Sequence, residues 1–284
     1  MPLRTLCPLL LTALLLTGCS ALAAFNTLTP VDPGVTLARA DFAYGAQARQ
    51  RLDIYVPDGG AAGAPVVVFF HGGGWDSGNK EDYAFVGKAL AAQGFVSVVA
   101  DYRLVPEVRF PTFLEDGARA VRWTHDHIGE YGGDPRRLYL LGHSAGAYNA
   151  AMLTLDAHYL SQVGLRPSAV RATAALAGPY DFLPLSVDAT IAAFGQAKNP
   201  AATQPINFVH SSAPPMFLAA GDQDTTVYPR NTTGLAARLR AAGADVAEKI
   251  YPGVTRAGII LALSRPFRGE APVLADVAAF FRAH

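Results

Sequence analysis

The sequence predicts an α/β fold: a mostly parallel central sheet with helices on both faces and a small cap or lid insertion. Two observations predict this fold. The apolar run at 66–70 is continuous, which is typical of a strand buried on both faces of a sheet, and 95–100 is expected to be the next buried strand. The segments between such runs have helical composition, and strands that alternate with helices indicate a mostly parallel sheet.

The composition indicates a single folded domain. The chain has 284 residues and contains no repeat, charge block or long Ser/Gly linker that would indicate a second domain. Hydrophobic residues make up 51% and charged residues 16% of the chain, as in a globular core rather than a disordered chain. The formal net charge is +0, so nothing favours a nucleic-acid partner.

A signal peptide is predicted for residues 1–18. Arg4 precedes the apolar run 8–16, which is the layout of a secretory signal. The run is too short to span a bilayer as a helix. We therefore expect the protein to be exported.

Lipidation is predicted at Cys19. The run Leu16-Thr17-Gly18-Cys19 resembles a bacterial lipoprotein processing site, in which cleavage before the cysteine frees it for lipid attachment. An ordinary signal peptide cut after a small residue, or a plain apolar terminus, is the alternative. We expect a protein anchored by its N-terminal lipid to the cell envelope, in the periplasm or at the outer membrane, with residues 19–34 as a tether.

Composition and helix-end signals predict the first strands and helices of the domain at 35–284. Strands are expected at 35–44 and 50–56, as an antiparallel pair at the edge of the sheet. A helix at 80–93 is ended by Gly94. Another helix, at 111–128, has a proline in its first turn.

Residues 178–214 interrupt the alternation. This segment contains several prolines and one short helical stretch near 189–194, and we interpret it as the cap or lid insertion, since such loops commonly carry specificity. Regular structure is expected on both sides of it: strands at 170–176, 216–220 and 246–251, and helices at 231–242 and 271–282.

The run Gly142-His143-Ser144-Ala145-Gly146 follows a short apolar strand at 138–141 and precedes an Ala-rich helix. A serine between two glycines at a strand-to-helix turn is the pattern of a nucleophile elbow, where the glycines leave room for the close approach of strand and helix. Ser144 is therefore the candidate nucleophile. A small-residue turn without catalytic role is the alternative for this pattern taken alone.

A second motif supports the catalytic interpretation. The run His71-Gly72-Gly73-Gly74-Trp75 follows the buried strand at 66–70, and such a glycine-rich run after a strand is associated with the oxyanion hole of esterases. Two independent parts of one catalytic apparatus occur in the right order. Coincidence is therefore a poor explanation for the serine motif.

These motifs resemble those of the α/β-hydrolase fold and, within it, of bacterial carboxylesterases related to hormone-sensitive lipase. The resemblance covers roughly residues 50–282 and includes Asp101-Tyr102-Arg103 and the run 221–227 in addition to the two motifs above. It implies a serine hydrolase that acts on small acyl esters through an acyl-enzyme. It also implies a catalytic triad in the chain order Ser, Asp, His, with no metal and no organic cofactor.

The resemblance assigns roles to individual residues. Asp224 takes the place of the triad acid, and Asp222 is the weaker alternative, while a turn-forming role for this loop is a further reading. The backbone N–H groups of Gly73, Gly74 and Ala145 would form the oxyanion hole. The histidine that opens the glycine motif is expected to brace that loop rather than act as base.

The expected base is missing. Where the family leads us to expect Gly-His, this chain has Thr255-Arg256. A guanidinium stays protonated and has no acceptor, so it cannot take the serine proton. Loss of a triad member costs ~10⁴ to ~10⁶ in turnover. We therefore expect impaired or lost ester hydrolysis. The alternatives are a catalytically dead pseudoenzyme kept as a binding or envelope protein, and an altered residue in an otherwise active enzyme.

No other histidine is expected to replace the base. His143 lies in the serine motif itself, with its side chain predicted to point away from the nucleophile. His158 is expected late in the helix after that motif, and His210 is expected to have a structural role. We also expect an Arg–carboxylate fork between Arg256 and Asp224, since this pairing is geometrically favourable.

Overall fold

A single eight-stranded sheet organises residues 25–26 and 29–284, the part of the chain that the computed structural model describes. The strand order is β1-β2-β4-β3-β5-β6-β7-β8. The strands are β1 Val35–Ala43, β2 Arg51–Pro57, β3 Ala64–Phe70, β4 Val96–Ala100, β5 Gly133–His143, β6 Val170–Leu176, β7 Met216–Gly221 and β8 Val246–Tyr251. The β1–β2 and β2–β4 pairs are antiparallel, and all other pairs are parallel. The predicted fold class is confirmed.

Helices cover the sheet on both sides. They are α1 Ala84–Ala92, α2 Thr112–His127, α3 Ala145–Leu155, α4 Ala157–Gln162, α5 Asp188–Phe194, α6 Arg230–Ala241, α7 Arg256–Leu261 and α8 Val273–Ala283. Within the described part of the chain, none of the helices has the length and apolar character needed to cross a membrane. The predicted signal peptide and the predicted lipidation site at Cys19 lie outside the described residues.

The predicted interior strands are buried as expected. In β3, Val66, Val68 and Phe70 pack into the core on one face of the sheet, while Val67 and Phe69 pack into the core on the other. All five side chains are fully buried. The continuous apolar run therefore reflects burial on both faces, which only a central strand experiences.

Two helix predictions need correction. The helix expected from residue 80 is an α-helix only from Ala84, because Glu81–Tyr83 form a 3-10 helix instead, which Lys80 precedes. The helix after the serine motif ends at Leu155, so that His158 lies in the separate helix α4 rather than late in α3.

The run Asp101-Tyr102-Arg103 fixes the start of the glycine loop to the sheet. The Tyr102 hydroxyl donates to the carbonyl oxygen of His71 (2.8 Å), and Asp101 Oδ1 lies 3.2 Å from His71 Nε2. The Arg103 guanidinium donates two hydrogen bonds of 2.8 Å to the buried carboxylate of Asp116 on α2. This run therefore holds the loop that carries Gly73 and Gly74 against the carboxyl edge of the sheet.

Candidate active site

Ser144 lies in the sharp turn between β5 and α3, in a conformation that non-glycine residues rarely adopt. Its backbone angles are φ 55° and ψ −117°. The turn is held on both sides, because the Ser144 N–H donates to Leu176 O (2.8 Å) and its carbonyl accepts from Tyr148 N (3.1 Å). Surrounding structure that over-determines a strained residue is typical of a functional site. The side chain is almost fully buried from bulk solvent but lines a cavity.

The two glycines of the serine motif are required by close packing. A Cβ atom on Gly142 would lie 2.1 Å from the carbonyl oxygen of Gly146, and one on Gly146 would lie 2.0 Å from the carbonyl oxygen of Phe70. Neither glycine has a positive φ. Their role is therefore to allow strand, turn and helix to approach each other, as the sequence predicts.

Two residues of the glycine loop and the first residue of α3 line the same cavity as Ser144. Gly73 and Gly74 have φ values of 122° and 60°, and both line the cavity together with Ala145. Within the described residues, the backbone N–H groups of these three positions donate to no other protein group. Free donors beside a serine hydroxyl are the arrangement that stabilises a developing oxyanion.

Trp75 locks the glycine loop onto the helix that follows the serine. Its own φ is 65°, its side chain is buried, and its indole Nε1 donates to Asn149 Oδ1 on α3 (3.1 Å). This contact was not predicted from the sequence. A buried asparagine in an Ala-rich helix was the signal that could have indicated it, since a buried amide needs a polar partner.

His71 contacts the loop and not the nucleophile. Its ring is fully buried and stacks on Tyr102 with a centroid separation of 4.5 Å. Its Nδ1 lies 2.6 Å from the carbonyl oxygen of Gly72 and, since a carbonyl only accepts, carries the hydrogen of this contact. These contacts match the bracing role expected for this residue.

Arg256 reaches the nucleophile directly. It is the first residue of α7, whose N-terminus is capped by Thr255 Oγ1 accepting from Gly258 N (3.0 Å). Its guanidinium Nη2 donates a short hydrogen bond to Ser144 Oγ. The side chain in the place of the expected histidine therefore contacts the hydroxyl that a catalytic base would contact, but as a donor.

The expected Arg256–Asp224 fork is wrong. Asp224 is buried, and its Oδ1 accepts from the backbone N–H groups of Thr226 (2.9 Å) and Val227 (2.8 Å). Its Oδ2 is buried without a hydrogen-bond partner in the described part of the chain. The fork does not form because the guanidinium is turned to the hydroxyl of Ser144 while the turn itself holds the carboxylate.

Asp222, the alternative acid, is engaged outside the cavity. Its side chain is exposed, and its Oδ1 accepts from Gly253 N (2.7 Å), which braces the loop before Arg256. Of the two aspartates, only Asp224 combines burial with an unused carboxylate oxygen.

His143 points away from the serine hydroxyl, as predicted. Its Nε2 lies 3.1 Å from the backbone carbonyl oxygen of Arg256, so Nε2 carries the hydrogen. Burial, with the nearby Arg256 guanidinium as a further cause, lowers the pKa of His143 to about 3. The ring is therefore neutral at pH 7 and serves to position the backbone of Arg256.

The remaining histidines do not supply a base. Within the described residues none of them contacts Ser144, and their partners lie elsewhere: His125 with Asp126, His127 with Glu130, His158 with Gln162, His210 with Ser212 and His284 with Asp245. These five histidines are therefore engaged with partners away from the serine turn.

The cavity above Ser144 has a volume of about 570 Å³. Much of its wall comes from the segment 178–214, through Phe182, Leu183 and Val187, and Tyr228 lies on its rim. Val187 is 57% and Tyr228 51% exposed. An insertion was predicted here from the sequence, but these residues were not singled out. Large apolar side chains in a proline-rich loop were the available signal.

Comparisons with known proteins agree with this architecture. The BD-FAE family model matches residues 52–239. The probable isoprenylcysteine alpha-carbonyl methylesterase ICMEL1 of Arabidopsis thaliana is 29% identical over 253 residues, covering 81% of this chain and 53% of that protein. The chain thus spans about half the length of this curated relative.

Solved structures are similar in fold. Esterase B from Lactobacillus rhamnosis, inhibited by a tributyrin phosphonate, superposes with a TM-score of 0.80 at 20% identity and with 92% of this chain and 90% of that chain covered. A hormone-sensitive lipase from a metagenome library gives a TM-score of 0.73 at 22% identity, again with 92% and 90% covered. The expected α/β-hydrolase fold is confirmed.

Substitution of Gly146 by Ala tests the close approach at the serine turn. The new Cβ meets a backbone carbonyl that has no rotamer to change, so we expect a loss of about 3 kcal/mol or more in the free energy of unfolding. Gly129→Ala is the matched control, since a Cβ there meets nothing within 4 Å. Urea unfolding curves measure both. Equal stability of the two variants would contradict the packing argument.

Substitution of His143 by Gln tests the buried neutral ring. The pKa of His143 is lowered to about 3 in the folded state, so below pH ~6.5 the unfolded chain binds a proton that the folded chain does not. The stability of the parent should therefore fall with pH in this range. Between pH 7 and pH 5 the parent should lose about 2 kcal/mol more than His143→Gln.

Urea unfolding at several pH values measures this difference. The control is His158→Gln, which removes an exposed histidine and should keep the pH dependence of the parent. An equally steep loss of stability in His143→Gln would show that the ring does not titrate as described.

Proposed function

Because the chain belongs to the BD-FAE family, whose model matches residues 52–239, we propose that it is a carboxylesterase-type serine hydrolase. It binds small acyl esters at Ser144 and turns them over slowly, because Arg256 stands in the place of the base. The observation that carries the proposal is the strained Ser144 beside the free N–H groups of Gly73, Gly74 and Ala145 at a cavity.

The proposed reaction begins with attack of Ser144 Oγ on the carbonyl carbon of the ester. The carbonyl oxygen becomes negative and is stabilised by the backbone N–H groups of Gly73, Gly74 and Ala145. Collapse of this intermediate expels the alcohol and leaves an acyl-enzyme, which water then hydrolyses to the acid. Each half of the reaction needs a group that accepts a proton and returns it.

Arg256 affects this proton transfer in two opposite ways. Its positive charge beside Ser144 Oγ favours the alkoxide over the hydroxyl. Its guanidinium has no lone pair with which to accept the proton, so the proton must leave to solvent. Hydroxide then replaces the missing base, and the residual rate depends on its concentration.

The names of similar proteins support an ester as substrate. ICMEL1 is described as a methylesterase, and Esterase B as an esterase inhibited by a phosphonate, a reagent that mimics a tetrahedral ester intermediate. The cavity volume of about 570 Å³ suits a small ester. The apolar wall formed by Phe182, Leu183 and Val187 suits an apolar acyl or alcohol group.

A pseudoenzyme is the second candidate. Two observations favour it. The guanidinium of Arg256 donates a hydrogen bond to the hydroxyl of Ser144, and Oδ2 of Asp224 has no partner among the described residues. In this reading the same cavity serves as a binding site in an envelope protein. The two candidates differ in whether Ser144 reacts at all.

Hydrolysis of p-nitrophenyl butyrate by the parent, Ser144→Ala and Arg256→His tests the proposal. At pH 7 the parent should exceed Ser144→Ala by no more than about tenfold, since no base assists the serine. Its rate should rise about tenfold per pH unit, in proportion to hydroxide. Arg256→His should gain at least ~10²-fold at pH 7 and lose this steep pH dependence.

Second substitutions in the Arg256→His background identify the acid. Asp224→Asn should remove most of the gain, whereas Asp222→Asn should retain it, because only Asp224 is buried with a free oxygen. Fast, Ser144-dependent hydrolysis by the parent at pH 7 would disprove slow turnover. Failure of the parent to react with a serine-directed phosphonate would favour the pseudoenzyme.

We also propose that the mature protein is a lipoprotein anchored to the cell envelope through Cys19. The support is the run Leu16-Thr17-Gly18-Cys19 after a signal-like segment. After expression in a Gram-negative bacterium, mass spectrometry should find a mature N-terminus at Cys19 that carries acyl groups. Cys19→Ser should move the protein out of the membrane fraction. An unmodified N-terminus after Ala21 would overturn the anchor.

A further inference from the structure

We propose that the Ser144 cavity is a binding site for an apolar monocarboxylate, whose carboxylate lies between the Arg256 guanidinium and the oxyanion N–H groups. This ligand is a free acid anion rather than a neutral ester. The inference uses the cavity of the proposed function but does not depend on turnover. It follows from the charge, the free donors and the apolar wall of the cavity.

Arg256 is a cation without an acidic partner among the described residues. Within the described residues, no carboxylate lies within ion-pair distance of Arg256, and its only hydrogen-bond acceptor is the hydroxyl of Ser144. A guanidinium offers five N–H donors, and its charge does not titrate in the physiological range. Most of its hydrogen-bonding capacity is therefore unused by the described protein groups, and the residue lines the cavity.

Among the charged residues that line the cavity, Arg256 is the one that contacts Ser144. The buried carboxylate of Asp224 is not part of the lining and accepts from the N–H groups of Thr226 and Val227.

Asp76, Asp181 and Arg230 also line the cavity, but all three are exposed at the mouth, where water and salt screen their fields. Arg230 also stacks over the ring of Tyr228, 5.1 Å from its centroid. The floor beside Ser144 therefore attracts an anion even though the lining as a whole is balanced.

Unused backbone donors line the same cavity as the guanidinium. The N–H groups of Gly73, Gly74 and Ala145 line the same cavity and are unused by the described protein groups. Ala145 is also the first residue of the eleven-residue helix α3, whose N-terminal dipole favours negative charge. A carboxylate has two oxygens that share its charge, so one can meet these donors and the other the guanidinium.

A neutral ester makes poorer use of this arrangement. Its carbonyl oxygen carries full negative charge only during reaction, whereas a carboxylate carries that charge in its resting state. Charge-assisted hydrogen bonds are roughly twice as strong as neutral ones. With a fixed cation in place of a base, the site is complementary to an anion that stays bound.

The apolar wall of the cavity selects the rest of the ligand. Trp75, Phe182, Leu183 and Val187 line the cavity above the charged floor. The volume of about 570 Å³ exceeds the need of a small anion such as acetate and accommodates a six-carbon chain or an aromatic ring. The combination of a cationic floor and an apolar wall is the chemistry that recognises an amphiphilic acid.

Calorimetric titration with hexanoate, hexanamide and acetate tests the inference. Hexanoate should bind at least about tenfold more tightly than the isosteric neutral hexanamide, and its affinity should fall as salt is raised. Acetate should bind more weakly than hexanoate because it lacks the apolar chain. Equal affinity for hexanoate and hexanamide would overturn the proposal.

Three variants locate the anion. Arg256→Gln should lose at least about tenfold in hexanoate affinity and keep its hexanamide affinity, while Arg230→Gln at the exposed mouth should lose less than about twofold. Ser144→Ala cannot form an acyl-enzyme and should retain hexanoate binding. This variant separates the inference from ester turnover.

Each variant must first show the parent's circular dichroism and melting temperature. If Arg256→Gln fails this check, Arg256→Lys serves instead and should retain part of the affinity, because it keeps the charge without the fork. An unchanged hexanoate affinity in Arg256→Gln, or a larger loss in Arg230→Gln, would place the anion elsewhere and refute the site.

Discussion

The contact between Gly146 and the carbonyl of Phe70 is the constraint on which the rest of the site depends. Phe70 ends β3, and the glycine loop begins at the next residue, so the turn that carries Ser144 packs directly against the start of the loop that supplies the oxyanion donors. A single close approach therefore sets the position of the nucleophile relative to Gly73 and Gly74. Because the contact is made by backbone atoms, side-chain rearrangement cannot relax it.

Much of the fold and part of the site could be predicted from the sequence, and the reason is locality. The strands Val170–Leu176 and Val246–Tyr251 have the predicted bounds, because a short apolar or alternating run between turns is a local signal. The serine turn and the glycine loop are also local motifs. The contact between Arg256 and Ser144 is not a local signal, because it joins positions 112 residues apart. A long side chain such as that of arginine also has several partners within reach.

The same distinction explains the wrong pairing with Asp224. The opposite charges of the two side chains favoured a fork. In the structure, one carboxylate oxygen accepts from the turn's own N–H groups, and the other is buried without a partner among the described residues. An unsatisfied buried acceptor costs about 1 to 3 kcal/mol. The buried carboxylate of Asp224 therefore keeps one oxygen without a partner among the described residues, while the guanidinium of Arg256 contacts the hydroxyl of Ser144.

Replacing a base by a cation changes which state of a ligand the site stabilises, without changing the fold. An oxyanion hole with a base is most complementary to the transition state, because the negative oxygen exists only there. When Arg256 adds a permanent positive charge next to the same donors, a permanent anion satisfies them in its ground state. In the proposed site the donors on Gly73, Gly74 and Ala145 therefore serve ligand binding as well as the slow reaction. A carboxylic acid, the product of the reaction that this apparatus would catalyse with a base, is then the ligand that we propose fits it best.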